Sequence, residues 1–287
     1  MRIGAHESAA GGPYRAVERA VEDDCEALQL FTKNNNRWSQ RMWTDEEAEK
    51  FRETYDESPL EGLMAHSAYL INLCSSTEST IEKSREALAD ELDRCQLLGI
   101  PYLVLHPGSH TGRGEAEGLE LVAENIERVY DDRGDPWPDV TLLLENTAGQ
   151  GTTLGYDFAH LGEILDRLDE PDRFGVCFDT CHAHAAGYDL STEEGYADTW
   201  REFDEAVGFE ALEGLHLNDS KNERGSRVDR HELIGEGAVG IEAFERIVND
   251  GRLEGAPAVV ETPPLENGEE SFAEMVARLK DLRDGVG

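Results

Sequence analysis

Nine residues of this chain are good metal ligands placed where a fold could gather them: His66, His106, Glu145, Asp179, His182, His216, Asp229, His231 and Glu261. Most stand at the far end of a short apolar run. Such a run reads as a buried strand that delivers its last side chain to whatever lies beyond it. Imidazoles and carboxylates converging in this way suit a cluster of divalent ions. Paired ions of that kind hydrolyse phosphate esters by holding both the attacking and the leaving oxygen. Asp179 and His182, three apart just past a run, are expected to face one ion from a tight turn. Asp229 and His231, two apart, point the same way from an extended chain. With His182 they complete the three protein ligands and open position of a catalytic zinc site. Glu145 is the carboxylate expected to bridge two ions, and Glu145, Asp179 and Glu261 are the expected catalytic carboxylates.

The remaining histidines call for blander readings. His110 lies in a glycine-rich loop and reads as a solvated loop residue. His160 falls in a helical stretch and reads as surface. His184 follows His182 by two and is a weak candidate for metal. His6 ends the first run and is better suited to orienting a ligand through a hydrogen bond.

Positioning these groups takes eight elements. The runs are RIGAH (2–6), EALQLF (26–31), LMAHS (63–67), YLVLH (102–106), TLLLE (141–145), GVCFD (175–179), EGLHL (213–217) and AVVET (258–262). Each gap between them has room for a loop, a helix and a return. Ile81, Leu88, Leu92 and Cys95 recur at helical spacing within 79–98, as do Leu161, Ile164, Leu165 and Leu168 before Pro171. Strand and helix in alternation imply parallel strands with right-handed crossovers. Eight near-equal units predict a (β/α)8 TIM barrel as a single domain over 1–287, with an open doubly wound sheet as the other solution. Barrels of this kind work at the C-terminal ends of their strands. Seven of the eight runs carry an ionisable ligand type there; the second ends at Phe31-Thr32 instead.

The composition carries 62 acidic against 26 basic residues, a net charge of −36. The acid is interleaved with core residues along the whole chain, which argues against a disordered acidic tail. A surface adapted to high salt, and hence a halophilic source, is the expectation. Two segments are locally basic, 33–41 (KNNNRWSQR) and 221–230 (KNERGSRVDR), so nucleic acid stays open as a partner. Asn34–Trp38 and Tyr69-Leu70, both just past run ends, are candidate substrate loops. The five scattered cysteines predict free thiols rather than a disulfide framework. No run approaches the ~20 apolar residues of a membrane span. The opening MRIGAHESAAGGP lacks the apolar core of a signal peptide, so the cytoplasm is the expected location.

Over nearly its whole length the chain resembles endonuclease IV, the type 2 apurinic/apyrimidinic (AP) endonucleases of the deoxyribonuclease IV type. The resemblance is carried by GAHESAAGG (4–12), LQLFTKN (28–34), YLINL (69–73), LHPGSH (105–110), LLLENTAGQG (142–151), GVCFDTCHAHAAGYD (175–189), LHLNDSK (215–221), GSRVDRHELIGEG (225–237) and VVETP (259–263). It implies a zinc-dependent DNA repair enzyme with three Zn2+, with Mn2+ tolerated at one site. His66, His106 and Glu145 would hold the first ion. Glu145, Asp179, His216 and Glu261 would hold the second, and His182, Asp229 and His231 the third. The implied reaction cleaves the phosphodiester bond 5′ to an abasic site in double-stranded DNA, leaving a 3′-hydroxyl and a 5′-deoxyribose phosphate. It also clears blocked 3′ ends in base excision repair.

Asn36, Arg37, Tyr69, Leu70, Lys221, Arg227 and Arg230 are the expected DNA contacts of a monomer. The chain departs from the family pattern at two places. His184 stands where many relatives carry an aromatic, which suggests a polar contact at the pocket rim. The arginine of the second loop is displaced by one, with Asn36 at its usual place and Arg37 next to it. Sugar isomerases on the same barrel, which need a catalytic lysine, and a non-cleaving damage binder are the alternatives.

Overall fold

Eight strands alternate with helices and close on one another in a computed structural model that describes residues 1–134, 136–265 and 267–285. The barrel strands are β1 (Arg2–Glu7), β2 (Ala27–Phe31), β3 (Gly62–His66), β4 (Tyr102–Leu105), β5 (Thr141–Glu145), β6 (Phe174–Asp179), β7 (Leu212–His216) and β10 (Pro257–Val260). All pair in parallel, in the closed order β1-β10-β7-β6-β5-β4-β3-β2. The fold is thus a TIM barrel in a single domain, and the open sheet is excluded. Each predicted run coincides with a strand to within two residues at either end, the usual fraying of element boundaries.

Alternation along the strands sorts side chains onto two faces. Leu28, Leu30, Leu63, Ala65, Leu103, Leu142, Leu144, Val176 and Phe178 face out and join the main apolar core beneath the helices. Ala27, Met64, Val104, Leu143, Cys177 and Val259 form smaller buried clusters inside the barrel. Gly214 leaves room for the thioether of Met64; a Cβ there would lie 2.7 Å from its sulfur. Two residues further along, the same inward parity reaches Gln29, His66, His106, Glu145, Asp179, His216 and Glu261. The ligand types are therefore the next inward layer above an apolar plug, at the strands' C-terminal ends.

The outer layer contains α1 (Tyr14–Glu22), α2 (Asp45–Asp56), α3 (Glu78–Leu98), α4 (Glu115–Arg133), α5 (Phe158–Leu165), α6 (Thr180–Ala186), α7 (Glu193–Ala206), α8 (Ile241–Val248) and α9 (Phe272–Asp284). Ile81, Leu88, Leu92 and Cys95 form part of the buried stripe of α3. Thr44 and Glu47 cap α2 reciprocally. The connection after β7 adds a small antiparallel hairpin, β8 (Asp219–Ser220) with β9 (His231–Glu232). All five cysteines are buried and free.

Candidate metal centre and substrate loops

Glu145, fully buried at the end of β5, stands at the middle of the layer. Its Oε2 lies 3.2 Å from His66 Nε2 and 2.9 Å from His106 Nε2. Its Oε1 lies 3.0 Å from His216 Nδ1 and 3.1 Å from His182 Nδ1. Asp229 joins the other flank, with Oδ2 3.3 Å from His182 Nε2 and Oδ1 3.4 Å from His231 Nε2. His66, His106 and Glu145 offer ligand atoms within 4.8 Å of one another, and so do Asp179, His216 and Glu261, and His182, Asp229 and His231. Two further groupings overlap these: Glu145 with Asp179 and His182, and Asp179 with Cys181 and His231. Cys181 is a neighbour that sequence reasoning left as an ordinary core thiol.

Proton placement tests whether such groups suit cations. A ring nitrogen that faces a carbonyl must carry the hydrogen. His66 Nδ1 lies 2.7 Å from Ser67 O, His182 Nδ1 2.9 Å from Asn146 O and His231 Nδ1 3.1 Å from Glu261 O. His216 Nε2 lies 2.9 Å from Gln29 Oε1. The opposite nitrogen of each ring therefore presents a lone pair toward a carboxylate, acceptor against acceptor. The buried Nε2 of His231 has no hydrogen-bond partner. Only a proton or a metal ion reconciles these pairs. Burial alone would push the Glu145 carboxyl up, but the His216 and His106 imidazoles hold it well below the usual carboxylate range. Burial would lower His216; Cys177, Glu261 and Glu145 around it hold it well above an ordinary imidazole. Asp229, despite burial, is held at about 2, chiefly by His182. Neutral nitrogen and anionic oxygen donors of this kind fit zinc or manganese, and binding must displace any proton held between a ring nitrogen and the facing carboxylate.

Three amides hold the layer in place, and sequence reasoning missed them. Gln29 Nε2 donates to Glu261 Oε1 at 2.9 Å and lies 2.9 Å from His6 Nδ1. Asn218 Nδ2 donates to Asp179 Oδ2 at 2.7 Å, and its Oδ1 accepts the Glu261 N–H at 2.8 Å. Asn146 Oδ1 accepts the Asp179 N–H at 2.7 Å. β2 is thus a participant and not the idle strand that its Phe31-Thr32 end suggested. The available signal was a glutamine inside an apolar run. His6 sits 3.1 Å from Glu261 Oε1 through Nδ1.

Several expectations change. Asp179 and His182 do not share a tight turn; Asp179 caps α6, accepting the His182 N–H at 2.7 Å, and His182 rides on the helix. His110 organises its loop by accepting N–H groups of Gly112 and Gly114. His160 is half-buried, accepting the Gly155 N–H at 3.2 Å. His184 is buried in α6 and is not a rim residue.

Of the expected DNA contacts, Asn36, Arg37, Lys221, Arg227 and Arg230 are exposed, on connections that follow strand ends. Tyr69 is 56% exposed although its ring packs against His66 at 5.3 Å and His106 at 5.7 Å. Leu70 is half-buried beside it. Arg227, held at φ 54°, lies over the Tyr156 ring at 4.2 Å. The first basic segment is weaker than its sequence suggested. Lys33 is buried against Asp90 and Glu91, and Arg41 is paired with Glu47. A cleft of about 550 Å³ opens beside the centre, bordered by His6, Phe31, Asn34, Asn35 and Trp43. A larger cleft, about 910 Å³ among Arg2, Tyr102 and Glu213, contains none of the nine residues.

The family model described as a xylose isomerase-like TIM barrel matches residues 17–282. The probable endonuclease 4 of Halorhodospira halophila is 46% identical, over 99% of this chain and 94% of its own length. That of Geotalea daltonii is 44% identical, over 99% and 98%. The crystal structure of endonuclease IV from Thermus thermophilus superposes with a TM-score of 0.85 at 36% identity, covering 98% of this chain and 99% of that one. Similarity of this extent, in sequence and in barrel, makes the chain a member of the endonuclease IV family.

Proposed function

We propose that the protein is a metal-dependent DNA repair endonuclease. It hydrolyses the phosphodiester bond 5′ to abasic sites, leaving a 3′-hydroxyl and a 5′-deoxyribose phosphate, and removes 3′-blocking groups. The observation that carries this reading is the set of three ligand groups around Glu145 and Asp179 at the working end of an endonuclease IV barrel. The three groups would hold three zinc ions, His66, His106 and Glu145 one, Asp179, His216, Glu261 and Glu145 the second, and His182, Asp229 and His231 the third, with manganese tolerated at one. Such ions supply Lewis acidity and an acidified water near neutral pH.

The chain's own groups do the rest. Glu145, Asp179 and Glu261 are the catalytic carboxylates; Asn146 and Asn218 hold Asp179, Gln29 and Asn218 hold Glu261, and Glu145 is held by the imidazoles around it. Arg37, Lys221, Arg227 and Arg230 meet phosphates on either side of the lesion. Asn36, Tyr69 and Leu70 fill the gap in the duplex. A missing base forfeits the stacking and pairing that resist extrusion, so selectivity needs no reading of base edges. The cleft beside His6 and Phe31 gives an extruded sugar room. We infer a monomer acting in the cytoplasm; no helix among the described residues is long and apolar enough to cross a membrane. A sugar-isomerase reading needs a lysine in the centre, and the one buried lysine, Lys33, is committed to Asp90 and Glu91.

The test is incubation of purified protein with a duplex carrying one abasic analogue, with and without a strong chelator. The expected result is a single cut 5′ to the lesion, lost on chelation and restored by zinc. Binding without scission, or scission indifferent to the chelator, would overturn the reading.

A further inference from the structure

The two candidate substrate loops after β2 and β3 share a mount that the metal centre does not explain. It is a row of charge on α3: buried Glu91 and Arg94, with half-buried Asp90 beside them. The Glu91 side chain is 1% exposed, and its two oxygens serve different loops. Oε2 accepts the Thr32 hydroxyl at the start of the second loop. Oε1 accepts the Ala68 N–H at 3.1 Å, one residue before Tyr69. Lys33 Nζ closes the group, 3.5 Å from Glu91 and 2.8 Å from Asp90. Arg94, fully buried, reaches the far end of the same loop, donating to Gln40 O at 2.7 Å and Arg41 O at 3.1 Å. Trp43 Nε1 donates back to Thr32 O at 2.9 Å. The second loop is therefore pinned at both ends, while its apex, Asn36-Arg37, is exposed. The loops also meet directly, Phe31 against Tyr69 at 5.6 Å.

Buried ion pairs of this kind are a poor route to stability, since apolar residues of similar size usually do as well or better. What a shared carboxylate supplies is fixed relative geometry. We propose that Glu91 is a positioning residue that couples the two loops, so that Asn36-Arg37 and Tyr69-Leu70 enter a damaged duplex as one unit. This rests on the reading of those loops as DNA contacts. The shape-conserving Glu91→Gln removes the charge that faces Lys33 and turns one acceptor into a donor, which either opposes the Ala68 N–H or replaces the oxygen that accepts the Thr32 hydroxyl.

The test measures parent, Glu91→Gln, Tyr69→Ala and the double variant on two substrates, an abasic duplex and bis(p-nitrophenyl) phosphate. Thr32→Val, which removes only the hydroxyl, runs in parallel and carries the test if Glu91→Gln does not fold. The expected result is a rise in KM for the abasic duplex of about tenfold, the scale of a lost hydrogen bond to a charged group. Small-diester turnover of Glu91→Gln stays within about twofold of the parent, and on the abasic duplex the double variant loses little more than the worse single one, the mark of residues acting as a unit. Normal duplex KM in Glu91→Gln, equal loss on both substrates, or additive losses with Tyr69→Ala would overturn the coupling. A parent that leaves the abasic duplex intact overturns the functional reading itself, and the coupling with it.

Discussion

Gln29 shows how a neutral side chain can decide the behaviour of charged ones. It takes the Nε2 hydrogen of His216, which turns the Nδ1 lone pair toward Glu145, and it steadies Glu261 with its amide. Gln29→Leu removes both contacts at little change in volume. Loss of such an outer partner typically costs about 10–100-fold in metal affinity. Competition against a chromogenic chelator is expected to show zinc binding weakened on that scale, with the fold unchanged by circular dichroism. Undiminished affinity would mean that His216 is oriented by its backbone alone. Six of the nine ligand types were legible in the sequence because an ionisable group ending an apolar run must be paired, titrated or ligated, while His182, Asp229 and His231 stood out only by their spacing. Gln29, Asn146 and Asn218 were passed over, because a buried neutral amide demands only hydrogen-bond partners, with no need for charge or metal, and theirs lie on other strands. The proton placement on each ring was equally invisible, since Ser67 O, Asn146 O and Glu261 O are backbone acceptors fixed only by the fold.

At the level of elements, the eight strands and the buried stripe of α3 could be read from periodicity alone. The β8–β9 hairpin could not, having two residues a side and no hydrophobic pattern. It is held by Asp219, a buried carboxylate that accepts the N–H groups of Ser220 at 2.8 Å, Val239 at 2.9 Å, Gly235 at 2.9 Å and Gly237 at 3.1 Å. These contacts tie together the two ends of the segment that carries Lys221, Arg227, Asp229, Arg230 and His231. Gly237 is needed for the close approach; a Cβ there would lie 2.4 Å from Asp219 Oδ1. Asp219→Ala leaves four donors without their acceptor, at about 1–3 kcal/mol for each one left buried. Urea unfolding is expected to show a loss of at least about 3 kcal/mol, unless the segment opens to water first. Hydrogen exchange separates the two outcomes, since opening exposes 220–239 alone. Protection and stability like the parent's would show that the segment holds itself. The Asp179–His182 turn was misread for a related reason. Spacing three fits a turn and a capped helix equally, and the N-cap bond to His182 selects the helix.

For the molecule as a whole, a net charge of −36 must be reconciled with a polyanionic substrate. Many arginines are spent on neighbouring carboxylates along helices, as in Arg128–Glu124, Arg201–Asp198 and Arg278–Glu274. The basic side chains proposed to meet phosphate are few and local, among them Arg37, Lys221 and Arg227. Lys221→Ala or Arg227→Ala is expected to weaken abasic duplex binding more than the same change does in a near-neutral relative. Each is also expected to lower the salt slope of binding by about one. Equal losses in both proteins would remove the argument from net charge. Self-repulsion at this charge is screened within ~3 Å at molar salt. The fold is therefore expected to gain stability from dilute buffer to molar potassium chloride, and a thermal midpoint indifferent to salt would contradict a halophilic adaptation. The central claim, that a layer of imidazoles and carboxylates above the barrel's apolar plug is a three-cation centre, is tested most directly by anomalous diffraction at the zinc edge from crystals grown with zinc. The account predicts three peaks, one in each of the groups around His66–His106–Glu145, Asp179–His216–Glu261 and His182–Asp229–His231. A map with no peak among these nine side chains would contradict it.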